Sequence, residues 1–198
     1  MSEDKKMIRT DQELLDYIDI LCRLDINYFF EERFLPKQKI IEQEKRYTSV
    51  FIIKEGIAKC YLSDENGKDF IQEFLGKGMK FGELEVFSGN LSFCSIEAIT
   101  RLEVYKISYT HFNYLLEHDK RFNRLVMKAM AIKIGYKAPR HSYQQSYTIE
   151  DNILKLKKAF PELTEVISKK DIANYMGITL RSLNRVLMKL NEKNNKIN

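Results

Sequence analysis

Cysteine is scarce, and where it occurs it is scattered: Cys22, Cys60 and Cys94 are the three thiols in 198 residues. An odd number at wide spacing makes neither a disulfide framework nor a Cys-x-x-Cys metal pair, so free thiols in a reducing compartment are expected. Long apolar runs are missing as well. No stretch approaches the roughly 18 consecutive apolar residues that a membrane span needs. The polar, mixed-charge start from Met1 to Thr10 lacks the apolar segment of a secretory signal. A cytoplasmic protein without a membrane partner is expected. Histidine is equally sparse. His111, His118 and His141 stand at no metal-ligand or triad spacing with carboxylates. No glycine-rich phosphate loop opens a helix, and no nucleophile elbow occurs. These absences predict no enzyme, no metal site and no cofactor.

What is present is ordinary in bulk: 44% hydrophobic and 31% charged residues suit a soluble chain of one large or two small domains. The charge is unevenly placed. Residues 151–198 hold ten Lys/Arg against five Asp/Glu, so the whole net charge of +5 lies in the last quarter of the chain. A local basic excess fits a surface that meets phosphates, although solvated helix ends give the same signal.

Leu14, Ile18, Leu21 and Cys22 stand at helical spacing within residues 11–24 and predict an amphipathic helix. From about Phe34 to Ile107 the pattern changes to short runs rich in Val, Ile, Phe and Tyr, punctuated by Gly56, Gly76, Gly78 and Gly82. Asn66-Gly67 predicts a two-residue hairpin with φ > 0 at both positions. The segment reads as an antiparallel roll or barrel of roughly eight strands. Around Ser108 the helical period returns. Phe122, Leu125, Ala129, Ile132 and Tyr136 step by three and four residues as an a/d seam. An identical chain is its simplest partner; the other reading is a helix packed on its own domain. Pro139 is expected to end or kink this helix, with 139–147 as a hinge.

Three helix starts follow. Thr148 and Ser168 each stand three residues before an aspartate, in a capping-box pattern, Thr179 is a further hydroxyl cap, and Pro161 breaks the chain between the first two. In SKKDIANYMGITLRSLNRVLMKL, Gly177 separates two helices, and Leu183, Val186, Leu187 and Leu190 form the buried stripe of the second. Its opposite face presents Leu180, Arg181, Asn184, Arg185 and Met188. Guanidinium forks suit guanine, an amide suits adenine, and an aliphatic group suits the thymine methyl. A helix of this kind laid in a major groove is the helix-turn-helix docking mode.

These segments together resemble the CRP/FNR superfamily over roughly residues 11–195. VFIIKEGIAKCYLSDENGKDFIQEFLGKGMKFGELEVF is similar to that family's cyclic-nucleotide-binding roll, including Gly56, Asn66-Gly67 and Phe81-Gly82-Glu83-Leu84. SKKDIANYMGITLRSLNRVL is similar to its DNA-reading helices. The resemblance implies an α+β chain: a cyclic-nucleotide-binding-type antiparallel β-roll with its N-terminal helix (1–107), a long dimerisation helix (108–138), the hinge, and a C-terminal winged helix-turn-helix (148–198). It implies a dimeric transcription regulator reading an inverted repeat in double-stranded DNA, with RNA polymerase as a further partner. Ser168, Lys169, Thr179, Leu180, Arg181, Ser182, Asn184 and Arg185 are the expected DNA-binding residues. The wing that usually follows the recognition helix is expected to be truncated or absent, since NEKNNKIN ends at Asn198.

The expected effector pocket comprises Phe74, Gly82, Glu83, Leu84, Phe93 and Cys94. Glu83 matches the family glutamate that holds the ribose hydroxyl, but Phe93 and Cys94 stand where cyclic-AMP binders carry an arginine and a serine or threonine for the phosphate. A phosphate without that cation loses charge-assisted hydrogen bonds worth about 1.5–3 kcal/mol each. Cyclic AMP is therefore not expected to bind in the usual way, and the effector is unknown. Phe70, Phe74, Phe81, Phe87 and Phe93 predict a pocket that is apolar or simply filled. An iron–sulfur cluster would need about four thiolates. Haem ligation by Cys60 or Cys94 has no local pattern behind it, and a redox role for Cys94 rests only on its position in the expected pocket. The rival function is a roll-domain sensor acting through a protein partner without DNA; Arg181, Asn184 and Arg185 argue against it.

Overall fold

The computed structural model describes residues 8–24, 27–146, 148–159 and 166–195. The glycine-punctuated region forms β1 (Ile8–Arg9), β2 (Phe29–Phe34), β3 (Lys39–Ile41), β4 (Ser49–Glu55), β5 (Ala58–Ser63), β6 (Asp69–Leu75), β7 (Lys80–Phe81), β8 (Ser95–Ala98) and β9 (Leu102–Ser108). They make two facing sheets, ordered β1-β6-β5-β8-β3 and β2-β9-β4-β7. Pairing is antiparallel except for β1, which joins β6 in parallel. The roll is therefore mixed at that edge rather than purely antiparallel.

Strand β4 shows why its sequence is an unbroken apolar run. Phe51 and Ile53 face the roll interior, while Val50 and Ile52 face a layer of helices. A strand covered on both faces needs no polar alternation. The β5–β6 connection is a hairpin, but a longer one than expected. It spans residues 64–68, and Asp64 Oδ1 accepts from the backbone N–H of Asn66 and Lys68 at 2.9 and 2.8 Å. Gly67 is left-handed, at φ 72°, and Asn66 is not among the positive-φ residues. The aspartate supplies the turn bonds that a tighter loop would have drawn from two left-handed residues.

Helix α1 (Gln12–Arg23) lays Leu14, Leu15, Ile18 and Leu21 against the outside of β4 and β9. After the roll, one helix was expected from residue 108, but two occur: α3 (Tyr109–His118) and α4 (Lys120–Ser146). Asp119 divides them because its carboxylate accepts from the N–H groups of Arg121 and Phe122, both at 2.9 Å, and so starts a new helix. Helix α4 continues past Pro139 to Ser146, so the proline does not end it and 139–146 is helical rather than a loop. The break expected at Pro161 lies outside the described residues. No helix among the described residues is long and apolar enough to cross a membrane.

The chain then forms α5 (Ile149–Ala159), α6 (Lys169–Met176) and α7 (Leu180–Asn195). All three expected caps are made: the N–H groups of Asp151, Asp171 and Ser182 bond to the hydroxyls of Thr148, Ser168 and Thr179 at 3.0–3.1 Å. Gly177 closes α6 with its N–H directed at the carbonyls of Ala173 and Asn174.

Candidate effector pocket and nucleic-acid interface

Between the sheets lies a cavity of about 20 Å³, lined among others by Gly82, Glu83, Leu84, Phe93 and Cys94. That is room for one water-sized molecule. Gly82 builds one wall. It is left-handed at φ 88°, and a Cβ there would stand 2.6 Å from the Ser49 carbonyl oxygen. This lets β7 turn directly into the short helix α2 (Glu83–Ser88) and bury Glu83 completely. Phe74 does not belong to this pocket. Its ring packs tilted against Tyr175 of α6, with centroids 5.2 Å apart, on the outer face of β6. The cause is a bulge: Cys60 pairs with Glu73 but Tyr61 pairs with Ile71, so Gln72 is an extra residue on β6. The bulge shifts the alternation and turns Glu73 inward beside Cys60. Of the five phenylalanines expected around the pocket, Phe81 and Phe93 line it, while Phe87 is half exposed.

Charged side chains enter the pocket beside the Phe81 and Phe93 rings. Lys133 and Lys137 reach in from α4, a source the sequence reading missed. Lys133 Nζ lies 2.8 Å from Glu83 Oε1 and 3.7 Å from Glu73 Oε1. Lys137 Nζ lies 3.1 Å from Glu73 Oε1, and Arg9 donates to Glu73 Oε2 at 2.9 Å. Burial pushes the Glu73 carboxyl up, but Lys133, Lys137 and Arg9 outweigh it and hold the group below its ordinary value. Burial pulls Lys133 down, but Glu83 and Glu73 more than reverse that and raise it. Nearby, burial lowers Lys80. The i and i+4 spacing of Lys133 and Lys137 puts both ammonium groups on one side of α4, toward the roll. Glu83 Oε2 has no hydrogen-bond partner among the described residues. Ser92 Oγ lies 2.7 Å from Glu85 Oε1 and 2.8 Å from the Cys94 carbonyl oxygen. The cations a phosphate would need are therefore already committed to carboxylates.

On α7 the residues segregate as their spacing predicts. Leu183, Val186 and Leu190 are buried, and Leu180, Arg181, Arg185 and Met188 are exposed. Leu180, Arg181, Ser182, Asn184, Arg185, Met188 and Lys189 line one continuous surface recess. Lys189 was missed because its position adjoins the buried stripe. Ser168, Lys169 and Thr179 are exposed. Two of them are already engaged: Ser168 donates to Asp171 Oδ2 at 2.8 Å, and Thr179 bonds to the Ser182 hydroxyl at 3.0 Å.

The proposed seam on α4 divides. Phe122 and Leu125 are buried with Val126 against α1, α3 and the sheet of the same chain. Ala129 and Tyr136 are half-buried, and the Tyr136 hydroxyl lies 2.9 Å from that of Tyr175. Ile132 is 50% exposed. A different row, Met127, Ala131 and Ile134, faces outward at i, i+4 and i+7, with Met127 and Ile134 at 62% and 66% exposure. The a/d pattern located an apolar face, and its first part, Phe122 and Leu125, is covered by the chain's own helices and roll.

Residues 31–119 match the family model described as the cyclic nucleotide-binding domain. The chain is similar to the cAMP-activated global transcriptional regulator CRP of Salmonella typhimurium, 23% identical over 173 residues and 82% of each chain. The corresponding regulator of Pasteurella multocida is 26% identical over 165 residues, covering 76% of this chain and 77% of that one. Among solved structures, the c-di-GMP-responsive global regulator CLP of Xanthomonas campestris superposes with a TM-score of 0.77 over 93% of both chains at 14% identity. FixK2 of Bradyrhizobium japonicum gives 0.69 over 84% of this chain and 86% of that one at 20% identity. The β-roll, long helix and helix-turn-helix thus have the CRP/FNR architecture.

Proposed function

We propose that this chain, which has the CRP/FNR fold, belongs to that superfamily and works as a dimeric, sequence-specific DNA-binding transcription regulator. The observation that carries this reading is the exposed face of α7, where Arg181, Arg185 and Lys189 stand on a capped helix directly after the Gly177 turn. Basic and amide groups on such a helix read base edges, and its positive charge meets phosphates. The outward row Met127, Ala131 and Ile134 is the proposed contact between two copies, replacing the seam through Leu125 and Ile132. Two copies would read an inverted repeat with half-sites about one helical turn apart. RNA polymerase remains a partner proposed from the family relationship alone.

The sensor roll is proposed not to bind cyclic AMP in the usual way, because Glu73 and Glu83 are paired with Lys133 and Lys137 inside a cavity of about 20 Å³. Selection of sites from random duplex DNA, with no small molecule added, tests the reading. An inverted repeat is expected, and adding cyclic AMP is expected to leave its affinity unchanged. Recovery of no enriched sequence would overturn the DNA-binding reading. In the same assay Arg181→Ala is expected to cost about 1–3 kcal/mol and relax preference at one base pair. Uniform weakening on all sequences would make Arg181 a phosphate contact.

A further inference from the structure

Cys60 on β5 and Cys94, one residue before β8, are buried in the wall of the roll cavity with their Sγ atoms 3.1 Å apart. The sheet brings them together. In the antiparallel β5–β8 ladder Cys60 stands opposite Ile96, and Cys94 is two residues from Ile96, on the same face at the diagonal position. A disulfide bond is about 2.05 Å long, so closure asks for about 1 Å of approach and no change of strand pairing.

We propose that Cys60 and Cys94 are a redox-modification site, converted by a peroxide into an intramolecular disulfide across the effector cavity. One sulfur, as thiolate, attacks a peroxide oxygen and breaks the O–O bond. It becomes a sulfenic acid, and the other oxygen leaves as water. The second sulfur then attacks the sulfenic sulfur, forming the S–S bond and expelling the hydroxyl as a second water. Two thiols lose two electrons and two protons, and one hydrogen peroxide takes them up as two waters.

The surroundings set which oxidant reaches the pair and how fast it reacts. A cavity of about 20 Å³ selects an oxidant near the size of water over a bulky disulfide reagent. Hydrogen bonding to Cys94, burial and the nearby Glu73 push the Cys60 thiol up, against the smaller opposing effect of Lys137. This favours the less reactive thiol form of Cys60 and restricts the reaction to sustained peroxide. Cys60 also pairs with Glu73 across the β5–β6 ladder, and Glu73 holds Lys133 and Lys137 of α4. A bridge here is fastened to the strand pair that anchors the long helix. Cys22 lies on α1 in a separate core cluster and serves as an internal control.

The test is thiol mapping of the full reduced chain after exposure to hydrogen peroxide, with alkylation under denaturing conditions and a non-reducing peptide map. The expected result is loss of two of the three thiols, a mass decrease of two hydrogens, a Cys60–Cys94 linked peptide, and reversal by dithiothreitol. Cys22→Ser should leave the bridge intact, and Cys94→Ala should abolish it. Titratable Cys60 and Cys94 after Cys22 has been oxidised would overturn the proposal, as would sulfinic acids at either position without a link. Bridge formation does not depend on DNA, so its failure and failure of the site selection are separate results.

Discussion

Glu73 holds three cations from two distant parts of the chain, Arg9 beside it on β1 and Lys133 and Lys137 on α4. Its carboxyl is held below the ordinary 4.5, so the stability it contributes is present above that value and lost as pH falls through the lower, folded-state value. Lys133 is raised above the ordinary 10.5. Its contribution is complete below 10.5 and is lost as pH rises through the higher, folded-state value. The cage is thus fully effective between these limits. In chemical denaturation followed against pH, stability is expected to decline below 4.5, and Glu73→Gln should flatten that acid slope. An unchanged slope would mean that other carboxylates dominate. At neutral pH Lys133→Met should cost about 3–5 kcal/mol, because it leaves the Glu83 carboxylate buried without its ammonium partner.

Helix α4 serves three surroundings along its length. Its first turns belong to the core through Phe122, Leu125 and Val126. Its middle sends Lys133 and Lys137 into the roll and leaves Met127, Ala131 and Ile134 outward. Apolar positions at i, i+4 and i+7 on an exposed face form a stripe that a second helix can cover. Sedimentation is expected to show a dimer in the wild type and a monomer in Ile134→Glu, whereas Ile132→Glu, on another side of the helix, keeps the dimer. A dimeric Ile134→Glu protein would place the contact elsewhere. The seam spacing was legible because packing demands apolar residues at a helical period. Which partner covers each turn was not, because the roll and a second copy present the same chemistry to it.

At the scale of the molecule, the helix-turn-helix rests against the roll. Ile71 and Phe74 of β6 pack in one cluster with Ile172, Tyr175, Leu183 and Val186. Lys59 Nζ bridges Glu97 of β8 and Asp171 of α6 at 3.1 and 2.9 Å. Burial pulls the Lys59 ammonium down, but Asp171 and Glu97 overcome it and hold it up. A shared apolar cluster couples the unfolding of the two parts. Phe74→Ala should cost about 3–5 kcal/mol and split one denaturation transition into two, with the helix-turn-helix lost first. A single transition, merely shifted, would show that the roll alone depends on Phe74.

Local rules by themselves determined the helix-turn-helix, its three hydroxyl caps, the glycine turn and the outward arginines, because capping and helical period involve residues only a few positions apart. They also determined the roll, through short apolar runs between glycines. Tertiary structure decided the content of the pocket. Glu73 turns inward beside a bulge at Gln72 that shifts the alternation of β6, and its cations arrive from β1 and from a helix some 60 residues later. It also decided that Phe74 faces α6, that Cys60 meets Cys94, and that half the α4 seam is core. Each of these depends on which distant surface covers a side chain, and apolar spacing carries no information about the identity of the cover.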